Sequence, residues 1–375
     1  MPIVRVAQIM GRMMGGGVEA TIMNHYRHID HDRVQFDFIV DDDSTVVPRA
    51  EIESLGGRVF VVPAYKRLPA YLRALRSLFA EQRPDIVHSN LNSLSVFPLS
   101  AAKKAGVPVR IAHSHSTSNP GERAKTAMKM VLRPFSRVYP TDYAACSNFA
   151  ARWLFGDKLV DAGRVRIMKN AIDVDRFVFD ATVRAAKRAE LGVDDAQPVI
   201  GQVGRMCFQK NQMFTLDVFA RVLKRRPDAV LVFAGDGDMM PRVRDRIREL
   251  GIERAVRVLG VRDDVHELYQ AFDMLAFPST YEGLGMAAIE AQASGMPVIA
   301  SDQVPDEAGI IPGLVRFLPL DSVDEWVDAL ASADPVAERA DERDAVCAAG
   351  YDIEDSAARL CDWYEELARK EGAER

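Results

Sequence analysis

The stretch STYEGLGMAAIEAQASGMPVIAS, Ser279–Ser301, holds two glutamates, Glu282 and Glu290, with a flexible turn between them. A strand over Met274–Phe277 leads into the turn, and the small residues after it place a helix start near Gly285. The first amides of a helix have no intrahelical acceptor, so those of Gly283, Leu284, Gly285 and Met286 would make an anion-binding terminus. Gly283 and Gly285 leave room for a ligand to approach the backbone. Glu282 precedes the amides, and Glu290 lies about a turn and a half into the helix. Carboxylates accept charge-assisted hydrogen bonds from hydroxyls. A ligand with phosphates in its middle and hydroxyls at both ends matches this order, and a nucleotide sugar has that layout. The bland alternative is a capped surface helix with solvated glutamates.

A second piece is GQVGRMCFQKNQ, Gly201–Gln212. Arg205 and Lys210 flank a loop between a buried strand and a helix. Two cations at a strand end can neutralise a diphosphate as its bond to a sugar breaks. Arginine offers a fork of donors and lysine a mobile point charge. The competing reading is solvent-exposed loop charge.

Elements that place these loops follow from the apolar pattern. Short β-rich runs at Ile3–Ile9, Val34–Val40, Arg58–Val62, Ile86–His88, Val109–His113, Tyr143–Cys146 and Val165–Met168 alternate with helical stretches such as Val18–Ile29, Tyr71–Ala80 and Ser93–Ala105. The rhythm breaks near Asp173–Asp180. It restarts with strands at Pro198–Val203, Ala229–Ala234, Val256–Leu259, Met274–Phe277 and Pro297–Ala300. Alternation of this kind predicts parallel sheets covered on both faces. A chain of 375 residues also exceeds one ordinary core. Two doubly wound α/β domains are expected, with ligand loops at the strand C-termini facing a cleft between them. Ile353–Arg369 reads as an amphipathic helix, with Ala358, Leu360, Cys361, Tyr364 and Leu367 on one stripe.

Composition narrows the class. Hydrophobic residues make up 48% and charged residues 27%, as in soluble globular proteins. No apolar run approaches the ~20 residues of a membrane span, and Met1–Val6 lacks a signal-peptide layout; a cytoplasmic protein is expected. The four cysteines lie far apart, without metal or redox spacing. His113 and His115 alternate onto one strand face, where a two-histidine metal site is a minor alternative. His25, His28 and His31 read as surface residues near a helix end. Asp41-Asp42-Asp43 reads as a solvated loop rather than a metal site. Those acids after the second strand also suggest a dinucleotide-binding oxidoreductase, but GRMMGGG lacks the Gly-x-Gly-x-x-Gly spacing.

GRMCFQKN, followed by AGDGD (Ala234–Asp238), VLGVRDDV (Val258–Val265) and PSTYEGLGMAAIEAQASGMPVIAS, resembles the retaining glycosyltransferases of family 4, which have the two-domain GT-B fold. Glu282 to Glu290 is similar to that family's Glu-x7-Glu signature. Gly15-Gly16-Gly17, RIAHSHST (Arg110–Thr117) and MKNAIDVDRF (Met168–Phe177) extend the resemblance over nearly the whole chain, although Ala171 stands where the family has glycine. The resemblance implies an acceptor-binding domain over 1–175, a nucleotide-sugar-binding domain over 176–350, and a final helix, 351–375, crossing back to the first. It implies that Arg205 and Lys210 bind the donor diphosphate, that Glu290 binds the ribose, and that Glu282 contacts the donor sugar beside Gly283, Leu284, Gly285 and Met286. Gly16, Gly17, Asn170, Gly204, Val261 and Arg262 would border the donor. His113 or His115 would lie near the transferred sugar, with His115 favoured.

The expected activity is transfer of a sugar, with retention, from a nucleotide diphosphate donor such as a UDP-sugar to a glycan or lipid-linked acceptor in surface polysaccharide synthesis. The nucleotide sugar is a substrate; no cofactor, metal or nucleic acid is called for. A nucleotide-sugar epimerase of the same fold and a non-catalytic sugar-nucleotide sensor are the alternatives. Through Asp180 the chain has 25 Lys and Arg against 18 Asp and Glu, and after it 23 against 36. Within the basic half, Glu122–Arg137 combines five basic residues with an apolar surface. That segment is expected to meet an anionic membrane, making the protein peripheral at the inner face.

Overall fold

A computed structural model describes residues 2–115 and 123–373. The chain divides into two compact units, Met1–Ile172 with Gly350–Arg375, and Asp173–Ala349.

The first unit is built on seven strands: β1 (Val4–Gly11), β2 (Val34–Asp41), β3 (Arg58–Val62), β4 (Ile86–Ser89), β5 (Val109–Ser114), β6 (Asp142–Ala145) and β7 (Val165–Ile167). They lie parallel in the order β3-β2-β1-β4-β5-β6-β7. β1 and β2 are buried almost throughout, as strands covered by helices on both faces must be. Helix Ile353–Ala373 completes this unit. Its Leu360, Cys361, Trp363, Tyr364 and Leu367 join a core with Val6, Phe36 and Phe38. Leu360, Cys361, Tyr364 and Leu367 lie on the buried stripe as expected, whereas Ala358 is exposed and Ala357 takes its place in the core. The outgoing and returning chain segments pair side by side: the Ile172 amide donates to the Tyr351 carbonyl at 2.8 Å, and the Ile353 amide to the Ile172 carbonyl at 3.0 Å.

Two expectations are overturned here. His25 is buried, not a surface residue. Its Nδ1 lies 2.9 Å from the Thr21 carbonyl and its Nε2 3.0 Å from Ser356 Oγ, tying helix Gly17–His28 to the tail helix. Asp41 is not in a solvated loop. It ends β2 as a buried residue, and burial pushes its carboxyl up to about 6. Asp42 and Asp43, in the turn after it, keep partly exposed side chains, Asp42 pairing with Arg67 and Asp43 lying 3.8 Å from Arg12.

The second unit holds β8 (Val199–Val203), β9 (Val230–Ala234), β10 (Val256–Val258), β11 (Met274–Phe277), β12 (Val298–Ser301) and β13 (Val315–Leu318). Their order is β10-β9-β8-β11-β12-β13, again all parallel. β13 has no counterpart in the sequence reading because it is an edge strand with only Leu318 buried. Helix Ala181–Leu191 was equally absent from that reading, although Asp180 caps it by accepting from the Thr182 and Val183 amides.

Candidate active site

In the second unit, the loops after β8, β9 and β10 are bound to one another through backbone. Gly235 has φ 136°, and a Cβ there would stand 2.1 Å from the Gly204 carbonyl oxygen. The Gly204 amide donates to the Ala234 carbonyl at 2.9 Å and the Gly235 amide to the Gly260 carbonyl at 2.7 Å. Only glycine permits contact this close. The loop carrying the cations is then fastened by two buried glutamines. Gln202 Nε2 donates to the Lys210 carbonyl (2.6 Å), and Gln212 Nε2 to the Arg205 carbonyl (3.0 Å).

This loop aims Lys210 at the next one. Lys210 Nζ donates to Glu282 Oε1 at 2.6 Å and lies 4.9 Å from the centre of the Phe277 ring. Glu282 is buried, and Gln209 Nε2 donates to its other oxygen at 3.1 Å. The loops after β8 and β11 are further joined by the Thr280 amide, which donates to the Gln209 carbonyl at 2.8 Å. Gly285 caps the following helix, Met286–Ala293, at φ 105°, where a Cβ would come within 2.9 Å of the Phe277 ring. Phe277 is thus the common floor under Lys210 and the helix start.

Glu290, in that helix, accepts from Tyr269 Oη at 2.8 Å. Burial raises the Glu290 carboxyl above the usual carboxylate range and the Tyr269 phenol well above its own. Arg205 is exposed on its loop. Val261 is also exposed, whereas the Arg262 guanidinium is already engaged by Asp264 (2.7 Å) and Glu190 (2.8 Å), which hold it firmly protonated. The structure therefore brings Lys210, Glu282, Gly283–Met286 and Glu290 together, with Gly204 and Arg205 on the Lys210 loop, and leaves Arg262 in an ion-pair network of its own.

The remaining expected site residues belong to the first unit. Gly16 precedes helix Gly17–His28, and a Cβ on Gly17 would meet nothing within 4 Å. The amides of Met14, Gly15 and Gly16 donate to the Glu19 carboxylate at 3.0, 2.5 and 2.8 Å. An anion thus sits at this helix start, in agreement with its positive end. Asn170 is buried, and its Oδ1 has no partner among the described residues. His113 and His115 are buried with ring centres 3.7 Å apart. Among the described residues no group of three or more His, Cys, Asp or Glu is placed to hold a metal ion. Sequence reasoning missed Gln209, Tyr269, Phe277 and Glu19. Glu19 had a local signal, a glutamate three residues after Gly16 at a helix start; the other three act across distances that no local pattern encodes.

Residues 15–176 match the model of Glycosyltransferase Family 4, and residues 183–332 that of Glycosyl transferases group 1. The chain is 33% identical over 368 residues to the glycosyltransferase EpsF of Bacillus subtilis, covering 96% of each protein. It is 23% identical over 340 residues to the UDP-Gal:alpha-D-GlcNAc-diphosphoundecaprenol alpha-1,3-galactosyltransferase of Escherichia coli, covering 87% of each. Anabaena HepE, solved in complex with UDP and glucose, aligns over 98% of each chain with a TM-score of 0.74 at 18% identity. The pair of Rossmann-like sheets is that of the GT-B fold.

One stability consequence follows from the Lys210–Glu282 contact. Lys210→Met leaves a buried carboxylate without its cation. It should destabilise the protein by ~2 kcal/mol, less than the ~3–5 of a fully buried pair because Lys210 keeps some water. Adding Glu282→Gln should recover most of this loss in chemical denaturation. Equal stability of wild type and the single variant would remove the pair's structural role.

Proposed function

The chain belongs to the family 4 glycosyltransferases, and from that premise we propose that it transfers a sugar, with retention, from a nucleotide diphosphate donor to a lipid-linked glycan. The observation that carries the reading is the Lys210–Glu282 contact at the glycine-opened start of helix Met286–Ala293. It sets a cation, a carboxylate and helix amides on one patch of the second unit. Lys210 and the exposed Arg205 are assigned to the diphosphate, Glu282 to a sugar hydroxyl and Glu290 to the ribose. UDP is favoured as the nucleotide, since the Escherichia coli relative is named for UDP-Gal and HepE binds UDP. A polyprenyl-diphosphate-linked acceptor, in surface polysaccharide assembly, is favoured by the same relative's name.

In the proposed step the bond from the anomeric carbon to the diphosphate oxygen breaks as the bond to the acceptor oxygen forms on the same face. The acceptor's proton passes to the departing diphosphate oxygen. Negative charge grows on the diphosphate, so fixed cations beside it lower the barrier most. Gly16, Gly17, Asn170, His113 and His115 are assigned to the sugar and acceptor.

A membrane surface accords with a lipid-linked acceptor. No helix of the described residues is long and apolar enough to cross a membrane. Glu122 lies outside the described residues. Beyond it, helix Arg123–Leu132 and the turn Arg133–Arg137 expose Met128, Met130, Val131 and Phe135, with Val138 and Phe149 beside them. Apolar residues exposed together mark an interaction site. Lys129 Nζ and Arg133 Cζ lie 6.0 and 5.8 Å from the Trp153 ring, so an aromatic and cations share the patch. A core-packed helix with only its charges outside would not expose these side chains. The chemistry fits an anionic bilayer, where each basic group contributes roughly 1 kcal/mol.

A screen of nucleotide sugars with free and lipid-linked acceptors tests the reading directly; a donor isomerised without acceptor would point to an epimerase. With the active pair, Arg205→Ala or Lys210→Ala should lower turnover on the order of 10²–10³-fold. Near wild-type rates in both would reject the donor-site assignment. Because two side-chain cations serve the diphosphate, activity should survive EDTA; complete loss, restored by magnesium or manganese, would reject a metal-independent step. In flotation assays the protein should bind anionic but not neutral liposomes, more weakly as salt rises. Binding should fall when Lys125, Lys129 and Arg133 become glutamine. Wild-type protein that stays unbound at low salt would rule the surface out.

A further inference from the structure

Three neighbouring strands of the first unit end in polar side chains on one face. Side chains alternate along a strand, so Gln8 and Met10 of β1, His88 of β4 with Asn90 after it, and His113 of β5 with His115 after it point the same way. Gln8 and His88 are register partners between β1 and β4. Helix Ile353–Ala373 lays Tyr364 against this face. None of the six residues Gln8, His88, Asn90, His113, His115 and Tyr364 is more than 7% exposed.

They form one continuous chain of hydrogen bonds. Asn90 Nδ2 donates to Gln8 Oε1 at 3.0 Å, and Gln8 Nε2 donates to Tyr364 Oη at 3.1 Å. Tyr364 has one proton. Having accepted from Gln8, it donates to His88 Nδ1, 2.7 Å away. His88 must then carry its proton on Nε2, which faces His113 Nδ1 at 3.0 Å. His113 accepts there, so its own proton sits on Nε2. At the other end Asn90 Oδ1 accepts from His115 Nε2 at 3.0 Å, which leaves His115 Nδ1 bare. The two terminal atoms, His113 Nε2 and His115 Nδ1, are buried and have no partner among the described residues. Met10 Sδ, 3.7 Å from Asn90 Nδ2, supports this direction of the amide. Turning both amides over would reverse every bond and exchange the two ends, but would keep them opposite in kind.

We propose that His113 and His115 form a preset donor–acceptor pair for a single sugar hydroxyl, and that Tyr364, Gln8, His88 and Asn90 are positioning residues that hold the two rings in matched tautomers. This deepens the proposed transferase function and rests on it for the identity of the ligand. A hydroxyl both accepts and donates, so it satisfies both free nitrogens at once; a phosphate oxygen at neutral pH cannot donate to His115. Burial lowers the imidazoles of His88 and His115 to about 3, and that of His113 well below its ordinary value. The rings are therefore neutral at pH 7, which suits a neutral group and not an anion. A buried polar atom left without a partner is costly, so the pair discriminates strongly for a ligand that fills both roles.

The test uses full-length protein labelled with nitrogen-15 at its seven histidines. Long-range proton–nitrogen spectra read each ring's tautomer without any ligand. His113 and His115 should be neutral at pH 7 and in the same tautomer, protonated on Nε2. Tyr364→Phe should mix the tautomers of His88 and His113, whereas Asn90→Ala should release His115 alone. Rings in opposite tautomers, a cationic ring, or tautomers unmoved by both variants would overturn the proposal. If one variant does not fold, the wild-type spectrum and the other variant still decide. With the active donor and acceptor, Tyr364→Phe should lower kcat/KM about 10-fold, the worth of one misaligned hydrogen bond, with UDP affinity unchanged. Removing hydroxyls one at a time from the donor sugar or from the acceptor sugar distinguishes the source, because one deoxy compound should lose its penalty in Tyr364→Phe. If no deoxy compound does, the hydroxyl assignment fails. If no nucleotide sugar is turned over, the transferase reading fails while the tautomer result stands by itself.

Discussion

The second unit depends on a backbone contact that excludes every side chain. Gly235 and Gly204 approach so closely that a single added carbon would overlap a carbonyl oxygen. That approach lets the loops after β8, β9 and β10 share hydrogen bonds. Gln202 and Gln212, both buried, fasten the Lys210 loop by donating to the Lys210 and Arg205 carbonyls. A flexible loop would leave Lys210 free to sample solvent. In the folded protein its ammonium is committed to Glu282 and the Phe277 face. Positioning of charge before chemistry is what makes such a group effective, since no reorganisation is needed as charge develops.

The two units present different electrostatics. The second gathers charged groups: a lysine, an exposed arginine, a buried glutamate and the positive end of a helix. The first gathers neutral imidazoles, amides and a phenol in one buried chain, with its charged Glu19 engaged by the glycine-rich turn. Neutral polar groups survive burial only when they are mutually satisfied. Two ends without a partner among the described residues, in an otherwise complete chain, therefore stand out. The basic, apolar patch around Phe135 is a third environment, where neither core packing nor solvation accounts for the exposed side chains.

The tail helix ties these features to folding. It returns after the second unit, buries Trp363 and Tyr364 against β1, β2 and β4, and meets His25 through Ser356. Arg33 secures its outer face with Asp362 and Glu365. The histidine face of the first unit is consequently complete only when helix Ile353–Ala373 is in place.

By itself the sequence determined the alternation of strands and helices, the break between two parallel sheets, the loops that carry Arg205, Lys210 and Glu282, and the helix that carries Glu290. These are legible because strand and helix periods are local, and because parallel strands deliver their loops to one edge. The glycines were legible as a need for close approach, though not as the particular Gly204–Gly235 contact. The tertiary structure alone decided which groups face each other. Lys210 meets Glu282 across 72 positions, and His88 meets Tyr364 across 276. It also buried Asp41 and His25, whose types and neighbours had read as surface, and it engaged Arg262 in ion pairs. Such pairings arise from the register of strands and the return of the tail helix. A residue's own neighbours in the chain carry no trace of them, because the free energy that selects them is spread over the whole packed core.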